Sequence, residues 1–169
     1  MTITITATPG DASANCYVTL YEANSYLEAH LQASVWTAFD DEKKKAALVA
    51  ATRQIDTMKF AGRRGTQAQS LAWPRIGLYD YDSYVVTGVP VKLKAAVNEL
   101  AIWNLTEEDR LAGRFEIENM ESVEIGPIKY KIGADAEAFP DHIEDLLEAI
   151  GPNVLSESSN TGNNGQMVL

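Results

Sequence analysis

The chain has very little of what most catalytic centres need. It contains one cysteine, Cys16, and two histidines, His30 and His142. A lone thiol closes no internal disulfide, which fits a reducing compartment. No histidine neighbours Cys16 and no helix starts at its position, so it reads as a small buried hydrophobe rather than a nucleophile. The histidines are far apart, without further ligands at metal-binding spacing, and read as surface or locally satisfied residues. There is no G-x-S-x-G, no H-E-x-x-H and no G-x-x-x-x-G-K-[ST]. An apolar run of about 18 residues, enough to span a membrane, is also missing. The first ten residues, MTITITATPG, lack the basic and apolar regions of a signal peptide. A binding or assembly protein is therefore expected, made in the cytoplasm, with no enzymatic activity, metal, cofactor or membrane partner.

Positive charge is scarce too, and unevenly placed. The net charge is −10. Residues 1–110 carry 11 Lys/Arg against 13 Asp/Glu, whereas residues 111–169 carry 3 against 11. Eight cations fall between Lys43 and Arg75, with Asp56 the only acid among them. A basic middle and an acidic C-terminal third suit either solvated faces or complementary surfaces meeting head to tail.

The apolar fraction of 46% supports a core. The periodicity predicts a mainly α protein: a small bundle of three to four helices, with a β-hairpin or extended arms and a flexible C-terminal tail. Residues 1–18 form an N-terminal arm, its first five alternating Thr and Ile. The helical core spans 19–112. Its first helix begins at Thr19, where Thr19 and Glu22 match a capping box, with Leu20, Ala23, Leu27 and Leu31 on one face. A second begins near Asp40 or Asp41, with Leu48, Ala51, Ile55 and Met58 inward and Lys43–Lys45 on the solvent side. A third opens at Gly88-Val89-Pro90 and runs to about Glu108, burying Leu93, Val97, Leu100 and Ala101. Residues 113–133 alternate, around Gly126-Pro127, as a hairpin arm. Residues 134–151 hold a short helix from Asp141 to Ile150. Residues 152–169 are a Ser/Asn/Gly-rich tail ending in Met167-Val168-Leu169, an apolar tip that a partner could bind.

Between the second and third helices lies a long loop, 62–88. Loops of this length are usually functional. It contains Gln69-Ser70-Leu71-Ala72-Trp73-Pro74-Arg75. Pro74 excludes helix and pushes Trp73 toward an extended backbone, so the segment is an anchored loop. Arg63, Arg64 and Arg75 lie in it with Trp73, Tyr79, Tyr81 and Tyr84. Cations mixed with aromatics can hold single-stranded nucleic acid by stacking and phosphate contacts. The overall acidity opposes this. The preferred reading is that Trp73 and Pro74 pin the loop to the core while the arginines pair with carboxylates of a neighbouring subunit.

The order Asn15-Cys16-Tyr17-Val18-Thr19-Leu20-Tyr21-Glu22-Ala23, then Trp36, Asp41-Glu42-Lys43-Lys44-Lys45, Ala51-Thr52-Arg53-Gln54-Ile55-Asp56, Gly62-Arg63-Arg64 and Leu71-Ala72-Trp73-Pro74-Arg75 resembles a family of tailed-phage proteins. These are labelled DnaT-like single-stranded-DNA-binding proteins, and their members look like head–tail adaptors (connectors). The resemblance covers roughly residues 10–133. It implies a homo-oligomeric ring, usually twelvefold, in the neck of the virion. The ring would bind the portal protein above and a neck, stopper or tail-completion protein below. Genomic DNA would pass through its lumen without sequence-specific binding. On this reading Arg63, Arg64, Arg75, Gly126, Pro127, Met167, Val168 and Leu169 face subunits or portal. The competing expectation is single-strand DNA binding, as the label says.

Overall fold

Thr19 does what its spacing predicts. Its hydroxyl accepts from the backbone N–H of Glu22, and the Glu22 carboxylate accepts from the backbone N–H of Thr19, which starts α1 (Leu20–Leu27). α2 is a short helix, Ala33–Ala38. Asp40 caps α3 (Asp41–Asp56) by accepting from the Lys43 N–H at 2.8 Å. β1 (Arg63–Arg64) pairs antiparallel with β2 (Arg75–Ile76), with Arg63 opposite Ile76 and Arg64 opposite Arg75. Pro90 stands immediately before α4 (Val91–Glu118), and α5 is Asp141–Glu148. In this computed structural model the described residues are 2–118 and 140–155, the side chains of 107–118 excepted. Among them the architecture is mainly helical, five helices and one two-stranded hairpin.

α3 and α4 are the central pair, and α1, α2 and α5 each pack on α4. Leu48, Ala51 and Ile55 of α3 meet Leu93, Val97, Leu100 and Ala101 of α4 in a core sealed from solvent. Ala23 and Leu27 of α1, Trp36 of α2, and Ile143 and Leu147 of α5 close it. Cys16 is part of this core: its sulfur accepts from the Thr52 hydroxyl at 3.3 Å, and burial pushes the thiol pKa up. The N-terminal arm is ordered but forms no strand: Ile3 and Ile5 pack against the core and the Ile3 N–H donates to Glu42 at 2.6 Å. The end of the described chain returns to the middle. Ala61 N–H donates to Val154 at 2.8 Å, and Phe60 bridges Leu155.

Several expectations need correction. α1 stops at Leu27, and the chain turns at once with His30 N–H bonding to Leu27, so Leu31 is fully exposed rather than inward. Lys44 is not a solvated residue of α3; it lies over the Trp36 ring, 5.7 Å from its centroid. The third predicted helix does not end at Glu108 but continues to Glu118. The alternation of Phe115–Glu118 is four residues long. The one glycine before it, Gly113, costs a helix only about 1 kcal/mol, too little to stop one already propagating. The hairpin expected at 113–133 is thus helical to Glu118; the rest of it, with Gly126 and Pro127, lies outside the described residues, as do Met167, Val168 and Leu169.

Candidate nucleic-acid interface

The long loop is fastened from inside. Asp56, the last residue of α3, accepts the Tyr17 hydroxyl and the Ala72 N–H, the latter at 3.1 Å to each oxygen. The Tyr17 oxygen in turn accepts the Trp73 N–H at 3.2 Å. Burial and the Asp56 carboxylate drive the Tyr17 pKa far above its usual value, so the phenol remains a donor. Trp73 is 1% exposed and meets Phe60 edge to face, with centroids 5.6 Å apart. The Trp73–Pro74 bond is cis. Gln69, also buried, donates to the carbonyls of Leu71 (2.8 Å) and Pro74 (3.1 Å) while accepting from Thr66 N–H. Ser70 bonds to the carbonyls of Asp11 and Ala14 in the N-terminal arm.

Arg75 belongs to this fastening. Its Nε donates to Ala61 (2.6 Å), and its terminal nitrogens donate to Ala72 (3.2 Å), Phe60 (3.0 Å) and Gly62 (2.9 Å), all backbone carbonyls. The guanidinium fork is spent on the chain's own backbone. Arg64 is exposed and gives one nitrogen to Gln69 (3.1 Å). Arg63 is exposed on the hairpin. Pro74 is partly buried beside Trp73. Of the three arginines assigned to an interface from the sequence, Arg63 and Arg64 are therefore exposed, while Arg75 is partly buried with its donors committed to backbone carbonyls.

Beyond β2 the chain dips, with Leu78 buried, and then projects a tight turn. The turn closes between Tyr79 and Val85. Inside it, Asp80 Oδ1 accepts the N–H groups of Asp82 (3.0 Å) and Tyr84 (2.8 Å), and Asp80 N–H donates to Tyr84 (2.9 Å). The turn is seated on the end of α5: Tyr81 hydroxyl donates to the Glu148 carbonyl at 3.2 Å. At Gly151 the backbones approach so closely that a Cβ would fall 2.2 Å from the Tyr79 oxygen. Three of the seven tyrosines sit on this turn, Tyr79, Tyr81 and Tyr84, and they are 55%, 66% and 70% exposed. Large rings at such exposure on a hydrogen-bonded turn are available to a partner.

Sequence reading expects Trp73 and Pro74 to anchor the loop; in the fold Trp73 is buried and Pro74 partly buried. It missed Tyr17, Asp56 and Gln69, which complete the anchor, and Gly151, which seats the turn. Asp56 had a signal: it is the single acid in a run of eight cations. Tyr17 and Gly151 reach the loop only through tertiary contacts and left none.

The sequence profile of one family, described as "Putative DnaT-like ssDNA binding protein", matches residues 1–168. No curated protein and no solved structure matches. The match overturns the expectation of a head–tail connector, and with it the ring, the portal and neck partners and the passage of DNA through a lumen, because the matched family is not a connector family. It also runs well beyond residues 10–133, into the C-terminal tail. The physical reason for the misreading is visible in the loop. Leu71-Ala72-Trp73-Pro74-Arg75, one of the segments that carry the resemblance, is explained by an intramolecular clasp and carries no information about a ring. A match over nearly the whole sequence makes this chain a member of the DnaT-like family.

Proposed function

We propose that the protein binds single-stranded DNA on the outer face of loop 62–88, and that it acts as a binding protein without enzymatic activity. The observation that carries this reading is the exposed set Tyr79, Tyr81 and Tyr84 on a turn fixed to the core, beyond a hairpin that presents Arg63 and Arg64. Unpaired bases stack on such rings, and arginines contact the phosphates between them. Fixing the turn beforehand lowers the ordering cost of binding. The family description supports the same ligand. Arg75 and Trp73 serve the site by holding the loop, not by touching the strand.

The test is fluorescence anisotropy with a labelled oligo(dT) of about 15 nucleotides, within the usual single-strand site sizes. Tyr84→Ala should weaken binding by about 1–3 kcal/mol, roughly 5- to 150-fold, the range for losing one stacked base. Arg63→Glu combined with Arg64→Glu should abolish measurable binding and leave the melting temperature within a few degrees of wild type. Failure of the wild-type protein to bind at low salt would remove the proposal.

A further inference from the structure

Beside the tyrosine turn, where it faces the start of α4 and the end of α5, is a cleft of about 350 Å³. That is at the lower end of the range for small-molecule sites, about 300–1,000 Å³, and is large enough for one nucleotide. Val86, Pro90 and Ile150 give it an apolar floor and Tyr81 an aromatic wall, while Asp82 and Lys92 stand at its rim. The wall is fixed, because Tyr81 is tied through its hydroxyl to Glu148. Asp80 also lines the cleft, but its Oδ1 is already occupied by the N–H groups of the turn. Among the described residues the carboxylate of Asp82 and the ammonium of Lys92 have no hydrogen-bond or ion-pair partner.

We infer that this cleft takes one unstacked base of the bound strand and selects bases carrying an exocyclic amino group, cytosine among them, over thymine; this rests on the single-strand reading above. An apolar floor and a ring suit a base, not a phosphate. The carboxylate of Asp82 accepts from an amino group such as cytosine N4–H₂ and repels the O4 acceptor that thymine presents at the same place. It also repels phosphate, whereas Lys92 attracts it. The base therefore points its exocyclic amino group, not the N3 position beside it, at Asp82, with the backbone toward Lys92.

The experiment compares the Kd values of oligo(dC) and oligo(dT) of about 15 nucleotides, near pH 8, for three forms of the full chain. Wild type should bind oligo(dC) about fivefold or more tighter, the low end for one good base contact. Asp82→Asn should bring the ratio close to one, because an amide serves either base; the ratio cancels the general gain from losing a negative charge. Lys92→Gln should weaken both oligomers several-fold and leave their ratio alone. Equal affinities in wild type, or a preference untouched by Asp82→Asn, overturn the selective cleft while leaving single-strand binding in place. No binding of either oligomer overturns the single-strand reading, and the cleft with it.

Discussion

Arg75 hydrogen-bonds four backbone carbonyls, three where the loop begins (Phe60, Ala61 and Gly62) and one within it (Ala72). Lysine at this position would keep the charge but lose the planar fork, so most of those carbonyls would lose their partner. Arg75→Lys should cost roughly 2–4 kcal/mol in urea unfolding, a few charge-assisted hydrogen bonds less what one ammonium can recover. Trp73→Ala removes a buried indole and leaves a cavity against Phe60. The expected loss is about 3–5 kcal/mol, and a loss under about 1 kcal/mol would show that the loop is held some other way. At this scale the sequence was legible in part. Trp73-Pro74 announces an anchor because a large apolar ring before proline has to bury itself in an extended loop. The arginine next to it reads as a surface cation by the same rules. Nothing local reveals that the carbonyls of Phe60, Ala61 and Gly62, brought around by the hairpin, await it.

At the scale of elements the capping signals were the most readable, because a cap is a contact between residues three apart. Thr19, Asp40 and Pro90 each stand at the boundary their chemistry predicts. α2 and the exposed Leu31 were not readable: six residues offer too short a period to detect. The α1 cap has a pH dependence. Burial tends to raise the Glu22 pKa, but the Lys94 ammonium at 2.6 Å and the Thr19 donors outweigh it and hold the carboxyl below its ordinary 4.5. A lowered folded-state value stabilises fully above the unfolded value and is lost as pH falls through the folded one. Thermal melts should therefore lose less stability in Glu22→Gln than in wild type on going from neutral pH to below about 4.5. Gly151 seats the tyrosine turn on α5. Gly151→Ala should force the two backbones apart, costing about 1–3 kcal/mol by overpacking, and should weaken DNA binding although residue 151 touches no strand.

For the whole molecule, the net charge of −10 opposes a polyanion, so the single-strand binding proposed above has to rest on a few local cations and on stacking. With Arg63, Arg64 and Lys92 as the phosphate contacts, log Kd should rise with log salt at a slope of about 2, from roughly 0.7 per contact. A slope above about 5 would mean that the cations of α3 also engage the strand. The basic middle segment seen in the sequence is partly consumed by the fold, Lys44 on Trp36 and Arg75 on the backbone, and counting charges could not reveal this. The clasp at Asp56 has one more consequence, for the timescale on which the loop opens. The amides of Ala72 and Trp73 lie outside regular secondary structure, yet they bond to Asp56 and Tyr17 rather than to water. Their hydrogens can exchange with deuterium only when Tyr17, the end of α3 and the loop separate together. They should belong to the slowly exchanging set of the helical core, while the amide of Tyr81, one turn away on the same loop, exchanges within the dead time of the experiment.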